Sequence, residues 1–361
     1  GHSCAADEAL VSAIREANTA NGKVLHLLDA RPTVAAWGNK LQGKGSENVS
    51  RYRHAQLQYL GIANIHAMRA AHEALVAALQ YNDSVDKTDE SLDAVQTHLA
   101  RVGASQWLYY LSLLLSSAAR IAQILTEEAA SLTVHCSDGW DRTSQLCALA
   151  QLLVDPYFRT KRGFAVLVEK EWLSFGHQFA HRTGHGSARI SSQRAPIFLQ
   201  FLDAVYQLQR QSPCAFEFNE NYLLALAHHM YTWRFGTFLF DCEAEREQAR
   251  LRVKTTSIWT YLCHPRTAAV FGNACYQEHP GQLLPDCSAR RVVVWERLHM
   301  KHLPHGPQAS DAWYEQYRQH TQLPPAPAGP AVSAEDAAAA GAWSCGEADS
   351  MGLLQSEQAR V

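Results

Sequence analysis

The stretch LTVHCSDGWDRTSQL, residues 132–146, joins the end of a short apolar strand to the beginning of a helix. LTVHC has the composition of a buried strand end, and in TSQLCALAQLLVD (143–155) Leu146, Leu149 and Leu153 fall on one helical face. Residues 136–142 are therefore a tight strand-to-helix turn whose backbone amides aim at one point, just ahead of a helix N-terminus. Such a turn is a nest for an anion. A cysteine at its mouth, Cys136, feels both the helix dipole and the amides, which favour the thiolate and make it a nucleophile at neutral pH. Arg142, six residues on, can fold back and offer a planar fork to two oxygens of a phosphoryl group. Thr143 can donate a hydrogen bond to the sulfur and steady it as a leaving group. Gly139 lets the backbone turn close to the ligand.

The two aspartates of the turn need a reason to be there, because a phosphate dianion repels carboxylates. Expelling an alkoxide from phosphorus requires a proton donor, and a carboxyl beside a dianion has its pKa pushed up toward that role. Asp141 and Asp138 are the candidates, with Asp141 favoured for its expected closeness to Arg142 and the leaving group. No Trp-Pro-Asp tripeptide occurs that could bring an acid from a separate mobile loop. A Cys-x5-Arg spacing by itself arises by chance around buried cysteines. Here the strand, His135, Gly139, the Arg142-Thr143 pair and the following helix coincide.

Outward from this turn, KVLHLLDAR (23–31) reads as a buried strand and AQLQYLGI (55–62) as an alternating one, with the Gly-rich loop GNKLQGKGSENVSRY (38–52) between them. IHAMRAAHEALVAALQ (65–80) places Met68, Ala71, Leu75 and Leu79 on one helical face, and WLYYLSLLLSSAARIAQIL (107–125) predicts a second helix. The pattern is that of an α/β fold. The second half reads as helical, with Trp172, Phe175 and Phe179 at helical spacing as core residues and a further helical run over 219–240. From about 322 the chain becomes rich in Pro, Ala and Gly and too poor in large apolar groups to pack, so 322–361 is expected to be a disordered tail behind a domain of 1–321.

Composition narrows the classes further. The 361 residues are 47% hydrophobic, enough for a sizeable core, and a net charge of −3 gives no global basic field, which argues against nucleic acid as a partner. Nine cysteines without CxxC spacing argue against a disulfide framework and a zinc site, and fit a reducing cytosol. The 18 histidines have no metal-ligand spacing with Asp, Glu or Cys, so no metal or other cofactor is expected. The chain opens Gly1-His2-Ser3-Cys4 without a charged-then-apolar leader, and no secretory signal is read there. The 107–125 window approaches spanning length but carries Arg120 and several serines, and is expected to be a buried amphipathic helix and not a membrane span.

HCSDGWDRT (135–143) resembles the signature of the myotubularin family, the phosphoinositide 3-phosphatases of the cysteine-phosphatase superfamily. DARP (29–32), ANIHAMR (63–69), RGFAVLVEKEWLSFGH (162–177), GHG (184–186), PIFLQFLDAVYQL (196–208) and FEFNE (216–220) resemble family blocks in the family's order, over about residues 5 to 300. The resemblance implies a tyrosine-phosphatase-like central sheet flanked by helices, with a helical C-terminal half. It implies removal of the 3-phosphate from phosphatidylinositol 3-phosphate or the 3,5-bisphosphate. Cys136 would be the nucleophile, Arg142 the phosphate-binding arginine and Asp141 the acid. Ser137, Asp138, Gly139 and Trp140 would line the inositol ring, Asn48 and Asn64 would lie near the headgroup, and Arg182 would occupy a basic headgroup position.

Read without the resemblance, Asn48 is as well explained as a turn residue and Arg182 as a solvated surface charge. At Gln178, where the family carries Arg or Lys, one of two cations expected on a shared helical face is missing. The family's lipid-binding PH-GRAM domain and the first part of its phosphatase domain are not recognised in these residues, so 1–321 reads as an N-terminally truncated phosphatase domain. The implied partners are a phosphoinositide headgroup on the cytosolic face of endosomal or similar membranes, and a homo- or hetero-dimer with another family member. Two rival readings are a non-catalytic scaffold, against which the intact cysteine and arginine count, and a protein tyrosine phosphatase, against which the missing acid loop counts.

Overall fold

A computed structural model of the chain describes residues 4–18, 20, 24–33, 49–52, 54–84, 92–185 and 191–300. Asn48, most of the Gly-rich loop and the 321/322 boundary with its tail lie outside the described residues.

Among the described residues, three parallel strands form a sheet in the order β2-β1-β3: β1 (Leu25–Asp29), β2 (Ala55–Tyr59) and β3 (Ser131–His135). The register pairs Leu25 with Ala55 and Ser131, and Asp29 with Tyr59 and His135, so all three strands end level. Every residue of β1 is buried, as a central strand covered on both faces requires, while β2 alternates between half-buried and exposed. That difference matches the continuous apolar run of the first segment and the alternation of the second.

The DARP segment binds the strand ends together. Leu60 N–H donates to Asp29 O, Ala30 N–H to His135 O and Ile62 N–H to Ala30 O, each at 2.8 Å. Arg31 folds back onto the buried Asp29 carboxylate, with Nη2 to Oδ2 at 2.6 Å and Nε to Oδ1 at 2.9 Å.

Helices cover the sheet. After α1 (Ala5–Glu16), α2 (Ile65–Ser84) buries Met68, Ala71, Leu75 and Leu79, the face expected from their spacing. Then come α3 (Leu92–Ala104) and α4 (Trp107–Thr126). By length and apolarity α4 could cross a membrane, but Trp107, Leu111, Leu114, Leu115, Ile121 and Ala122 are buried inside this fold, where α4 packs along α5 (Arg142–Val154). In α5, Leu146, Leu149 and Leu153 are fully buried. The second half continues with α6 (Lys161–Val168), α7 (Phe179–Thr183), α8 (Ile197–Gln211) and α9 (Glu220–Thr232), followed by short helices as far as His299. The Thr160 hydroxyl caps α6 through Gly163 N–H, and Asn219 caps α9 through Tyr222 N–H.

One expectation from spacing fails between α6 and α7. The chain widens into a π-helical turn over Glu169–Ser174, then reverses at Gly176 with φ +77° before α7 begins. A π turn inserts an extra residue, and the register of the buried face shifts with it. Trp172 and Phe179 are fully buried as expected, whereas Phe175 is 62% exposed. Gln178 likewise precedes α7, so it does not share a regular helical face with Arg182, although Arg182 N–H still donates to Gln178 O at 2.9 Å.

Candidate active site

The turn after β3 is built as its residue types require. Cys136 follows the last strand residue and is buried, and the chain passes over it to the start of α5 at Arg142. Gly139 takes φ +95°, a conformation in which a side chain is strained, and its N–H donates to Cys136 Sγ at 3.3 Å. Burial by itself would raise the Cys136 pKa. It is nonetheless lowered below the ordinary thiol value of 9.0, through the Thr143 hydroxyl, Gly139 N–H, the Arg142 charge and Asp138 N–H. Cys147 on α5 is the contrast, because burial, with the Glu171 carboxylate nearby, pushes its thiol up to about 12.

Arg142 folds back over the turn. Its Nη2 donates to Ser137 Oγ at 3.0 Å and its Nη1 to Ile62 O at 3.2 Å, so the guanidinium spans from the turn to the segment after β2. Asn64 lies two residues beyond that carbonyl and is exposed; its Oδ1 accepts from His66 and Ala67 N–H at 3.1 Å, capping α2. Asn64 thus stands beside the site with one end of its amide already occupied. Ser137 and Asp138 are exposed at the rim, Trp140 is half-buried, and the Trp140 indole Nε1 is buried without a partner among the described residues.

Asp141 behaves differently from expectation. Its backbone carbonyl accepts from Gln145 N–H at 3.1 Å to open α5, but its side chain turns away from the helix into the protein. There Arg182 grips it with both arms of the fork, Nε to Oδ1 at 3.1 Å and Nη2 to Oδ2 at 2.7 Å. His177 Nδ1 lies 3.1 Å from Asp141 Oδ1 and 2.8 Å from Trp140 O. Two acceptors on one nitrogen require that nitrogen to carry the proton, so His177 donates to both. Burial would raise the Asp141 pKa, but the His177 hydrogen bond and charge and the Arg182 pair override it and lower it to about 2. The sequence suggested a carboxyl raised toward a proton donor's range. Here the carboxyl is paired with two partners that hold it ionised.

Arg182 is correspondingly neither a solvated charge nor an open headgroup ligand. It is 6% exposed, and its remaining Nη1 donates to Gln193 O and Oε1 at 3.2 and 3.3 Å. His177 and Gln193 are the site residues that sequence reasoning missed. The only trace of His177 was its place at the end of the 162–177 block. Its ring is held edge-on between Trp172 and Phe179, with centroids at 4.8 and 4.7 Å. Among the described residues no group of three His, Cys, Asp or Glu side chains converges on a point that could hold a metal.

As chemistry, the arrangement offers a cysteine whose pKa is lowered within the turn, a guanidinium fork folded over the same turn, and two carboxylates in unlike surroundings, one exposed and one buried in an ion pair. Residues 1–247 match the myotubularin-like phosphatase domain. The chain is 41% identical over 297 residues to myotubularin of Xenopus laevis and 41% identical over 298 residues to that of Rattus norvegicus, in each case covering 82% of this chain and 47% of the relative. It is 43% identical over 261 residues to the phosphatidylinositol-3,5-bisphosphate 3-phosphatase MTMR6 of Mus musculus, covering 72% of this chain and 40% of that protein. The chain spans about half the length of the curated relatives it matches. With the match to the phosphatase domain extending over residues 1–247 and the Cys136–Arg142 turn lying inside it, the chain belongs to the myotubularin family.

Proposed function

We propose that this chain is a cysteine-dependent phosphoinositide 3-phosphatase that removes the 3-phosphate of phosphatidylinositol 3-phosphate. The observation that carries the reading is the environment of Cys136: Gly139 N–H donates to its sulfur at 3.3 Å, its pKa is lowered despite burial, and the Arg142 guanidinium lies folded over the same turn. In the first step the Cys136 sulfur attacks phosphorus, forming an S–P bond as the P–O bond to inositol breaks and its electron pair leaves on the inositol oxygen, which takes a proton. In the second step water attacks phosphorus and gives up a proton, the S–P bond breaks, and the thiolate and inorganic phosphate are released. Throughout, Arg142 and the turn amides meet the charge on the equatorial oxygens. The level strand ends and the strand-to-helix turn support a tyrosine-phosphatase-like arrangement of the sheet.

The substrate is a lipid headgroup, so the protein works as a peripheral protein on the cytosolic face of endosomal or similar membranes. One family relative is named for a 3,5-bisphosphate substrate. Here Arg182 is already committed to Asp141, and residue 178 is a glutamine, which favours the monophosphate. The test is phosphate release from a panel of soluble phosphoinositides, with a phosphotyrosine peptide as comparator. Release from the 3-phosphorylated members well above the peptide supports the assignment. Faster turnover of the peptide makes the chain a protein tyrosine phosphatase, and absence of release from all of them leaves a scaffold.

A further inference from the structure

We propose that Phe175, Trp233 and Phe240 form an aromatic rim that dips into the surface of an anionic lipid bilayer and seats α7, one wall of the candidate active site, against it. This rests on the phosphoinositide reading above and names the surface through which such a substrate is reached.

The three rings are bulky, exposed and gathered around one short helix. Phe175 is 62% exposed, Trp233 51% and Phe240 38%. Phe175 lies two residues ahead of His177, the imidazole that donates to Trp140 O and to Asp141. Trp233 follows α9, and its ring meets that of His185, two residues past α7, with centroids 4.0 Å apart. Phe240 is tied to both places. Arg246 donates from Nη2 to Phe240 O at 3.3 Å and from Nη1 to Leu173 O at 3.1 Å, close to Phe175, while Asp241 pairs with His181 on α7. Three separate segments thus bring an exposed ring to the surroundings of the helix that carries Arg182.

Their backbone sets two of these rings apart from chance exposure. Trp233 takes φ +55° and Phe240 φ +64°, the left-handed region in which a bulky side chain is strained. Glycine would make either turn without that strain, and neither ring repays it with full burial. What the rings meet outside the protein accounts for their presence.

The surroundings select a bilayer. Tryptophan and phenylalanine settle at the level of lipid headgroups, with positive charge beside them on anionic membranes. Here the exposed Arg234 follows Trp233, and the exposed Arg194 lies against the end of α7, its Nε 2.2 Å from where a Cβ on Gly184 would stand. The nearest carboxylates after Phe240 are engaged, Asp241 with His181 and Glu243 with Arg252. Because α7 also grips Asp141 through Arg182, a rim seated in the headgroup layer holds the Cys136 turn close to that layer.

The experiment uses the full chain and vesicles of phosphatidylcholine with about one-fifth phosphatidylserine, without any 3-phosphoinositide, so that binding is read apart from catalysis. Phe175→Ser, Trp233→Gly and Phe240→Gly should each weaken vesicle sedimentation by roughly fivefold or more, and the triple variant by on the order of 10²-fold. The glycines take the left-handed conformation unstrained, so Tm should stay within about 4 °C. Tyr109→Ser, which removes an exposed ring from α4, should leave binding unchanged. In the triple variant kcat/KM should fall with binding for phosphatidylinositol 3-phosphate embedded in vesicles, and stay within about twofold for its soluble short-chain form.

Unchanged sedimentation of the triple variant overturns the proposal, as does an equal loss in Tyr109→Ser or the absence of vesicle binding by the unmodified protein. A dimer that the triple variant splits while vesicle binding persists gives the face to a second copy of the chain instead. Should the triple variant fail to fold, Phe175→Ser, at a position with no left-handed strain, decides alone. If the unmodified protein releases no phosphate from the soluble lipid, the phosphatase reading fails separately and sedimentation still decides the rim.

Discussion

Arg182 meets Asp141 through a two-armed ion pair, Nε to Oδ1 at 3.1 Å and Nη2 to Oδ2 at 2.7 Å, in a place where neither side chain sees much solvent. A buried pair of this kind costs most when half of it is removed. Arg182→Ala should destabilise the protein by about 3–5 kcal/mol in urea unfolding, because it leaves a buried carboxylate uncompensated. Arg182→Lys keeps the charge but loses the fork, and should recover only part of that.

The same pair sets an acid limit on stability. Asp141 is lowered from 3.8 to about 2 in the folded protein. A carboxylate with a depressed folded pKa stabilises above its unfolded value, and the contribution fades as pH falls toward the folded one. Unfolding free energy should therefore drop between about pH 4 and pH 2 by on the order of 2 kcal/mol, and Asp141→Asn should lack that drop. Urea titrations across that window check it.

Cys136→Ser should abolish turnover without unfolding the protein, since a serine hydroxyl is not ionised at neutral pH. The thiol also reports its surroundings directly. Alkylation of Cys136 by iodoacetamide should reach half-maximal rate below pH 9.0, and Thr143→Ala should move that midpoint upward, with Cys147 inert in both proteins. Mass spectrometry of the alkylated peptides distinguishes the two sites.

Two glycines fail for different reasons when given a side chain. A Cβ at Gly163 would stand 1.8 Å from Tyr157 O and 2.5 Å from Tyr157 C, so backbone must move. Gly163→Ala should cost at least about 1–3 kcal/mol of stability, seen as a lowered Tm. A Cβ at Gly139 meets nothing within 4 Å, but φ is +95°. Gly139→Ala should show a comparable strain of about 1–3 kcal/mol, together with a fall in kcat as the amide on the sulfur is displaced.

Gln178→Arg should raise kcat/KM for the 3,5-bisphosphate more than for the 3-monophosphate. Arg182 is held by Asp141, and a new cation one turn of backbone away could meet the second phosphate. A charge-assisted hydrogen bond of roughly 1.5–3 kcal/mol corresponds to a tenfold or larger change in the substrate ratio, which salt should reduce. Rates for both substrates at two ionic strengths check it, and an unchanged ratio means that residue 178 does not face the headgroup.

Much of this arrangement was readable in the chain wherever a feature is local. The all-buried run of β1, the Met68–Ala71–Leu75–Leu79 face and the strand-turn-helix around Cys136 each follow from periods of two or 3.6 residues and from a glycine at one position. Phe175 was misread because the π turn adds a residue, and no simple period carries that insertion. The partnership of Asp141 and Arg182 was unreadable for another reason. The two lie 41 residues apart, and composition says nothing of which of two nearby carboxylates a buried arginine will take.

Arg142 Nη1 reaches Ile62 O across 80 residues of chain. Closing so long a loop is entropically costly, and a contact of that separation forms only once the intervening elements have been brought together. The phosphate-binding fork is thus aimed by the last stages of folding and not by its own segment. A nascent or partly folded chain carries Cys136 as an ordinary thiol beside an undirected arginine, silent toward phosphate esters until the sheet has closed. The appearance of a fast-reacting cysteine during refolding would mark completion of the tertiary structure, later than the recovery of helical circular dichroism.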